Sequence, residues 1–257
     1  DHDGISVHIH KLTSQAWSFD SIQGEVAWGI NQQVTHLFSS VVQLTQGDSL
    51  LNLFMDGDFP RKGVEGEPFM HLRLGLQNMD VASIPAMLPD VSMGTSLGDY
   101  LANAAKAGRI AQGGVTFNGM VGKQAKDLGP YSYSVAVWGQ AQLPKVHYAA
   151  GWPEIYKADL DFSSNHQMVT VDLHDGQLLG NGKAGFDLVD WQVKVPMLST
   201  QDKSKAMIEV SGDLQGDGTL YQRIAKQLPT SVVVPSWIME LNPTGQIKLQ
   251  VNVAVPY

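Results

Sequence analysis

The sequence predicts an all-β protein, dominated by antiparallel sheet with one apolar face per strand and flanked by two or three short helices. Three observations carry this. Apolar and polar residues alternate with period two from one end of the chain to the other, as strands with one dry and one wet face do. Glycine is abundant, 26 of 257 residues, while charged residues make up only 16%, against about a quarter in ordinary domains. Only two or three stretches carry apolar residues at helical spacing, too few for alternating βα units.

The alternation can be followed strand by strand. "ISVHIHKL" sets Ile5, Val7 and Ile9 against Ser6, His8 and His10. "FMHLRLGL" sets Met70, Leu72, Leu74 and Leu76 against His71 and Arg73. "MVTVDLHDG" aligns Val169, Val171 and Leu173, and "LVDWQVKVP" aligns Val189, Trp191, Val193 and Val195. "KAMIEVSG" aligns Ala206, Ile208 and Val210. The closing "GQIKLQVNVAVPY" puts Ile247, Leu249, Val251, Val253 and Val255 on one side. Burying one such side chain is worth roughly 1.5–3 kcal/mol, so this stripe represents about 7–15 kcal/mol, the net stability of a whole domain. Something must cover it.

Between these runs, "DGQ", "GNGKAG", "GDLQGDG" and "NPTG" have turn chemistry. "VTFNGMVG", "IEVSGDLQG" and "LFMDGDFPRKG" each read as a strand entering a glycine-interrupted turn, which suggests repeated β units that depend on their neighbours for cover. Helical spacing occurs in "SLGDYLANAAKAGRI", through Leu97, Leu101, Ala104 and Ala105 with Gly108 as C-cap. It recurs in "GTLYQRIAKQLP", through Leu220, Ile224 and Leu228, stopped by Pro229. "DVASIPAMLP" fits a single turn.

Several function classes are disfavoured. A net charge of −8 opposes nucleic-acid binding, which needs clustered Lys and Arg. The absence of cysteine removes disulfides, thiolate metal sites and thiol nucleophiles. No apolar run has the length of a membrane span. "GTSLG" matches a nucleophile elbow at Ser96, with His147, His166 or His174 as candidate bases. Ser96 to Asp99 is better read as a capping box, since the elbow needs a parallel α/β sheet. "GNGKAG", Gly180 to Gly185, matches a dinucleotide fingerprint in letters, but a strand follows it where a helix is required. It reads as a hairpin connection. His8 and His10 share a strand face without further ligands, and the aspartate turns lack the closing Glu of a calcium loop. Trp138 and Trp191 sit among apolar neighbours and are expected in the core or a groove. No catalytic residue, metal ligand or cofactor site emerges.

From Ser96 onward the order of elements resembles the YhdP-like proteins of the AsmA-like group. The resemblance lies in "SLGDYLANAAKAGRI" leading to "AQGGVTFNG", then "VHYAAGWPEIYKADLDF" with its Gly151-Trp152-Pro153 turn. "MVTVDLHDGQLLGNGKAGFDLVDWQVKVP" follows, and the final strand ends in proline after a short helix and a proline-marked loop. Residues 1–95 are compatible as a β-rich N-terminal part. Residues 96–257 carry the match, with helices near 97–108 and 218–228.

This resemblance implies an elongated, curved antiparallel sheet folded into a hydrophobic groove, shaped like a taco, in one continuous unit. It implies a non-enzymatic periplasmic segment of a larger protein that is tethered to the inner membrane of a Gram-negative bacterium. Such a protein passes phospholipid toward the outer membrane with acyl chains in the groove. Its expected lining is then Ile5, Val7, Ile9, Leu72, Leu74, Val169, Val171, Leu173, Trp191, Val193, Val195, Ile208, Val210, Ile247, Leu249, Val251, Val253 and Val255. A carbohydrate-binding or adhesive β-sandwich, with Trp152 in an exposed platform, is the alternative.

Overall fold

The computed structural model describes residues 5–7, 17–83, 106–121, 132–147, 153–165, 168–179, 185–196, 207–226 and 236–256. Strands β1 (Ile5–Val7) and β2 (Trp17–Phe19) pair as a separate two-stranded ribbon. Four short strands follow: β3 (Ser21–Gln23), β4 (Val26–Ile30), β5 (Val34–Ser39) and β6 (Val42–Gln46). Long ones come next, namely β7 (Ser49–Pro60), β8 (Phe69–Asp80), β9 (Arg109–Met120), β10 (Tyr133–Val146) and β11 (Ile155–Ser164). The last four are β12 (Met168–Leu179), β13 (Gly185–Pro196), β14 (Met207–Asp217) and β15 (Gln246–Pro256). From β3 to β15 they form one open antiparallel sheet of 13 strands.

From β7 to β15 each strand pairs with its neighbours in sequence, and the far edge of β7 is shared by β5 and β6. These two are halves of one strand interrupted near Ser39, whose buried hydroxyl accepts the Met55 N–H at 2.9 Å. Asn78, Lys157 and Asp190 adopt left-handed backbone, with φ of 54°, 52° and 52°. They lie within β8, β11 and β13, where an extra residue bends and twists a strand. The sheet is curved for this local reason.

The bulge at Asp190 corrects one expected alignment. Val189 does not share a face with Trp191; Leu188, only 2% exposed, does, because the two residues between Leu188 and Trp191 stay on the outside. Several expected turns are also strand interior. Asp56-Gly57-Asp58 lies within β7, Asp175-Gly176-Gln177 within β12, and Gly212 to Asp217 within β14. Their glycines make room for large neighbours rather than reversing the chain. A Cβ on Gly212 would stand 2.5 Å from the Trp191 ring, and one on Gly216 would stand 2.8 Å from Phe186.

Of the expected helices, the one near 97–108 lies outside the described residues up to Ala105. Gly108 has φ +127° and leads straight into β9, and a Cβ there would meet the Gln142 carbonyl at 2.5 Å. The second begins as a 3-10 turn, Gly218–Leu220, capped by Asp217 accepting the Thr219 N–H. It continues as α1 (Tyr221–Ala225), which buries Ile224; Leu228 and Pro229 lie outside the described residues. The single turn expected after Asp80 is the 3-10 turn Val81–Ser83. A further short helix, α2 (Ser236–Glu240), had no signal in helical spacing.

The core gathers toward one end of the strands. One cluster joins Phe19, Leu51, Met79, Val81, Ile110 and Ala141, and a second joins Ala158, Leu173 and Leu188, with Leu143 and Leu160 touching both. The connections that carry the helices leave from this end. The opposite end, where Pro60, Met120, Ser164 and Pro196 close their strands, forms a lip.

Candidate functional site: the apolar inner face

On the face that holds the core, register carries one apolar row across eight strands. Leu76 stands opposite Gly113, then come Gly139, Phe162, Val171, Val193, Val210 and Val253 in turn. The two glycines admit larger neighbours, since a Cβ on Gly139 would lie 2.6 Å from the Phe162 ring. Leu74, Val115 and Val137 begin a parallel row nearer the lip, and Val169 pairs with Val195 beyond it. Nearer the core, Leu160 faces Leu173 and Leu173 faces Trp191.

Burial of the inner-facing residues falls toward the lip along β8, β10, β11 and β13. In β13, Phe186 is 1% exposed, while Val193 and Val195 are only half-buried. In β15, Ile247, Leu249 and Val251 are half-buried and Val253 is 45% exposed. Among the described residues only the short β1–β2 ribbon packs on this face, through Phe19 and Trp17 at the core end, so the sandwich alternative lacks a full partner layer. Among the described residues, the core half is filled by side chains and the lip half is not.

The expected lining residues fall into three groups. Leu72, Leu74, Val169, Val171, Leu173, Trp191, Val193, Val195, Ile208, Val210, Ile247, Leu249, Val251 and Val253 lie on the inner face, and Val255 holds its register position opposite Ile208. Leu173 belongs to the sealed core, and the Trp191 indole N–H donates to the Asp213 carbonyl at 2.7 Å. Ile5 is 44% exposed and sits with Val7 in the separate ribbon, off the large sheet, and Ile9 lies outside the described residues. Sequence reasoning missed Phe162, Val115, Val137, Phe186 and Leu188. Alternation in "KADLDF" and "VAVWG" carried the signal for the first and third.

Trp138 departs from expectation. It stands opposite Gly114 and Ser163 on the polar face and is 47% exposed. That outer face has its own register row: Gln77, Gln112, Gln140, Asp161, Asp172, Gln192, Ser211 and Asn252. Gln112 donates to Gln140 at 2.6 Å, and Gln192 donates to Asp172 at 2.7 Å. Lys145–Glu154 and Lys248–Asp213 are ion pairs at 2.7 Å between an exposed lysine and a half-buried carboxylate.

The histidines do not form a catalytic or metal constellation among the described residues. Ser96, His8, His10 and His166 lie outside them, as does Trp152. His147 stands 4.0 Å from Glu154, and His174 pairs with Asp161 at 3.1 Å. The hydrogen bond that the His174 ring N–H donates to the Asp161 carboxylate raises the His174 pKa above its usual 6.5, against a smaller opposing effect of burial. Any stability from this pair is complete below the unfolded-state pKa and fades as pH rises through the raised folded value. Proton NMR titration of His174 is expected to give a midpoint above 6.5. Asp161→Asn should move it back down; an unchanged midpoint would show that the pair does not persist in solution.

An open antiparallel sheet with one long apolar face, sealed at one side and unfilled at the other, defines an apolar-groove protein. The chain matches the YhdP protein family over residues 1–257. It belongs to that family. Membership makes it, in general terms, an AsmA-like protein of lipid transport in the bacterial envelope. No curated protein and no solved structure gives a significant match. No helix among the described residues is long and apolar enough to cross a membrane.

Proposed function

We propose that the inner face is a groove for phospholipid acyl chains, within a conduit between the inner and outer membranes of a Gram-negative envelope. The working location is the periplasm, with tethering to the inner membrane. One observation carries the reading: the continuous apolar row from Leu76 to Val253, on a face whose burial declines toward the lip. An acyl chain laid on such a face gains about 0.8 kcal/mol per CH₂ removed from water. It needs no directional partner, so a lipid held this way can slide from one strand to the next. The headgroup stays in water beyond the lip. Lining is assigned to Leu72, Leu74, Val169, Val171, Val193, Val195, Ile208, Val210 and the half-buried part of β15.

Paired photocrosslinking tests this. A benzophenone side chain at Val210 or Val253 is expected to capture phospholipid in cells, detected by mass spectrometry, while Glu209 and Ala254 on the outer face capture none. Equal capture on both faces, or none on the inner one, would overturn the proposal.

A further inference from the structure

We propose that the outer face is a binding track for a linear, uncharged polysaccharide, laid across the strands along the polar ladder with a sugar ring stacked on Trp138. This is independent of the lipid reading, because it uses the opposite side of the sheet. Trp138 places a large aromatic surface in water amid polar neighbours, where it closes no core. Its indole leans over the bare backbone of Gly114, where a Cβ would meet Nε1 at 2.9 Å. On the next strand, Gly75 sits opposite Gly114, and a Cβ added to it would meet nothing nearer than 3.9 Å. The result is an exposed ring beside a step with free space. The apolar C–H face of a pyranose fits the ring, and its substituents fit the step.

The ladder supplies the polar half of recognition. Adjacent strands are ~4.8 Å apart, so it presents one amide, carboxylate or hydroxyl per strand over about 34 Å. That spacing is on the scale of one sugar unit in an extended chain. Glutamines both donate and accept, and carboxylates accept, which suits ligands rich in hydroxyls. At its far end the ladder enters a hollow of ≈ 300 Å³, where Gln192, Ser211 and Asn252 are joined by Lys194 and Glu209. Asp161 and Asp172 at its centre are held by His174 and Gln192 rather than by lysine or arginine. Their negative charge disfavours polyanionic chains, so among linear polysaccharides the proposal takes an uncharged one.

The full chain titrated with a β-1,4-linked N-acetylglucosamine hexamer, and separately with the glucose hexamer, tests this by NMR. Saturable shifts at the Trp138 indole N–H and the Gln112 and Gln140 side-chain amides are expected with at least one of them. Trp138→Ala should weaken binding about tenfold, the scale of one aromatic contact. Its melting midpoint and phospholipid capture at Val210 should be unchanged, so the two proposals fail separately. The Gln112→Ala, Gln140→Ala double variant should weaken binding without touching the tryptophan. Absence of saturable shifts with both hexamers, or binding indifferent to both variants, would overturn the proposal.

Discussion

Phe186→Ala is expected to lower the unfolding free energy by about 3–5 kcal/mol, the cost of emptying a fully buried aromatic site. Phe186 faces Leu178 across β12 and fills the space that Gly216 leaves on β14, with almost no contact with water. Urea titration should show a lower midpoint at unchanged slope. Val253→Ala, on the same face but at the lip, should cost about 1 kcal/mol or less, because nearly half of that side chain is already in water. The contrast is the test. Equal losses at the two positions would mean a face sealed evenly from end to end, leaving no room for a guest chain.

Val253→Asp and Val251→Asp should each abolish most phospholipid capture, with the melting midpoint nearly unchanged at the exposed Val253 and lowered at the half-buried Val251. Without lipid, a carboxylate at the exposed lip remains hydrated. With an acyl chain against it, that hydration must be given up without a partner, at a cost of several kcal/mol. A loss of bound phospholipid of at least tenfold is the expected reading, since each 1.4 kcal/mol is a factor of ten. The neighbouring Asn252→Asp points to the outer face and should leave capture intact. Unfolding of both inner-face variants would show that these valines are core, and normal capture by both would show that lipid does not lie there.

Much of this architecture was legible in period-two alternation. β8, β12 and β15 follow their apolar patterns, and the row from Val171 to Val253 joins residues that alternation alone marks as one-sided. What alternation cannot report is a break in its own phase. One residue with left-handed backbone, Asp190, sends Val189 outward and brings Leu188 inward, and nothing local in "FDLVDWQ" announces it. The glycines misled for a related reason. Gly176, Gly212 and Gly216 read as turns because their role depends on side chains from adjacent strands, which only register reveals. Trp138 is the same lesson in reverse. Apolar neighbours in sequence suggested an inward ring, whereas strict alternation with Val137 and Gly139 places it outside. The polar ladder was illegible for the same cause, because its members come from eight strands and meet only through pairing.

Because β8 through β14 each bond only to the strand before and the strand after, the sheet has no closing seam that fixes how many strands it must contain. Inserting or deleting one hairpin would change the molecule's reach by about 10 Å, two inter-strand steps, and would disturb only the two strands at the splice. Length in such a protein is a quantity that evolution can adjust in even increments, like links in a chain cut to fit a gap.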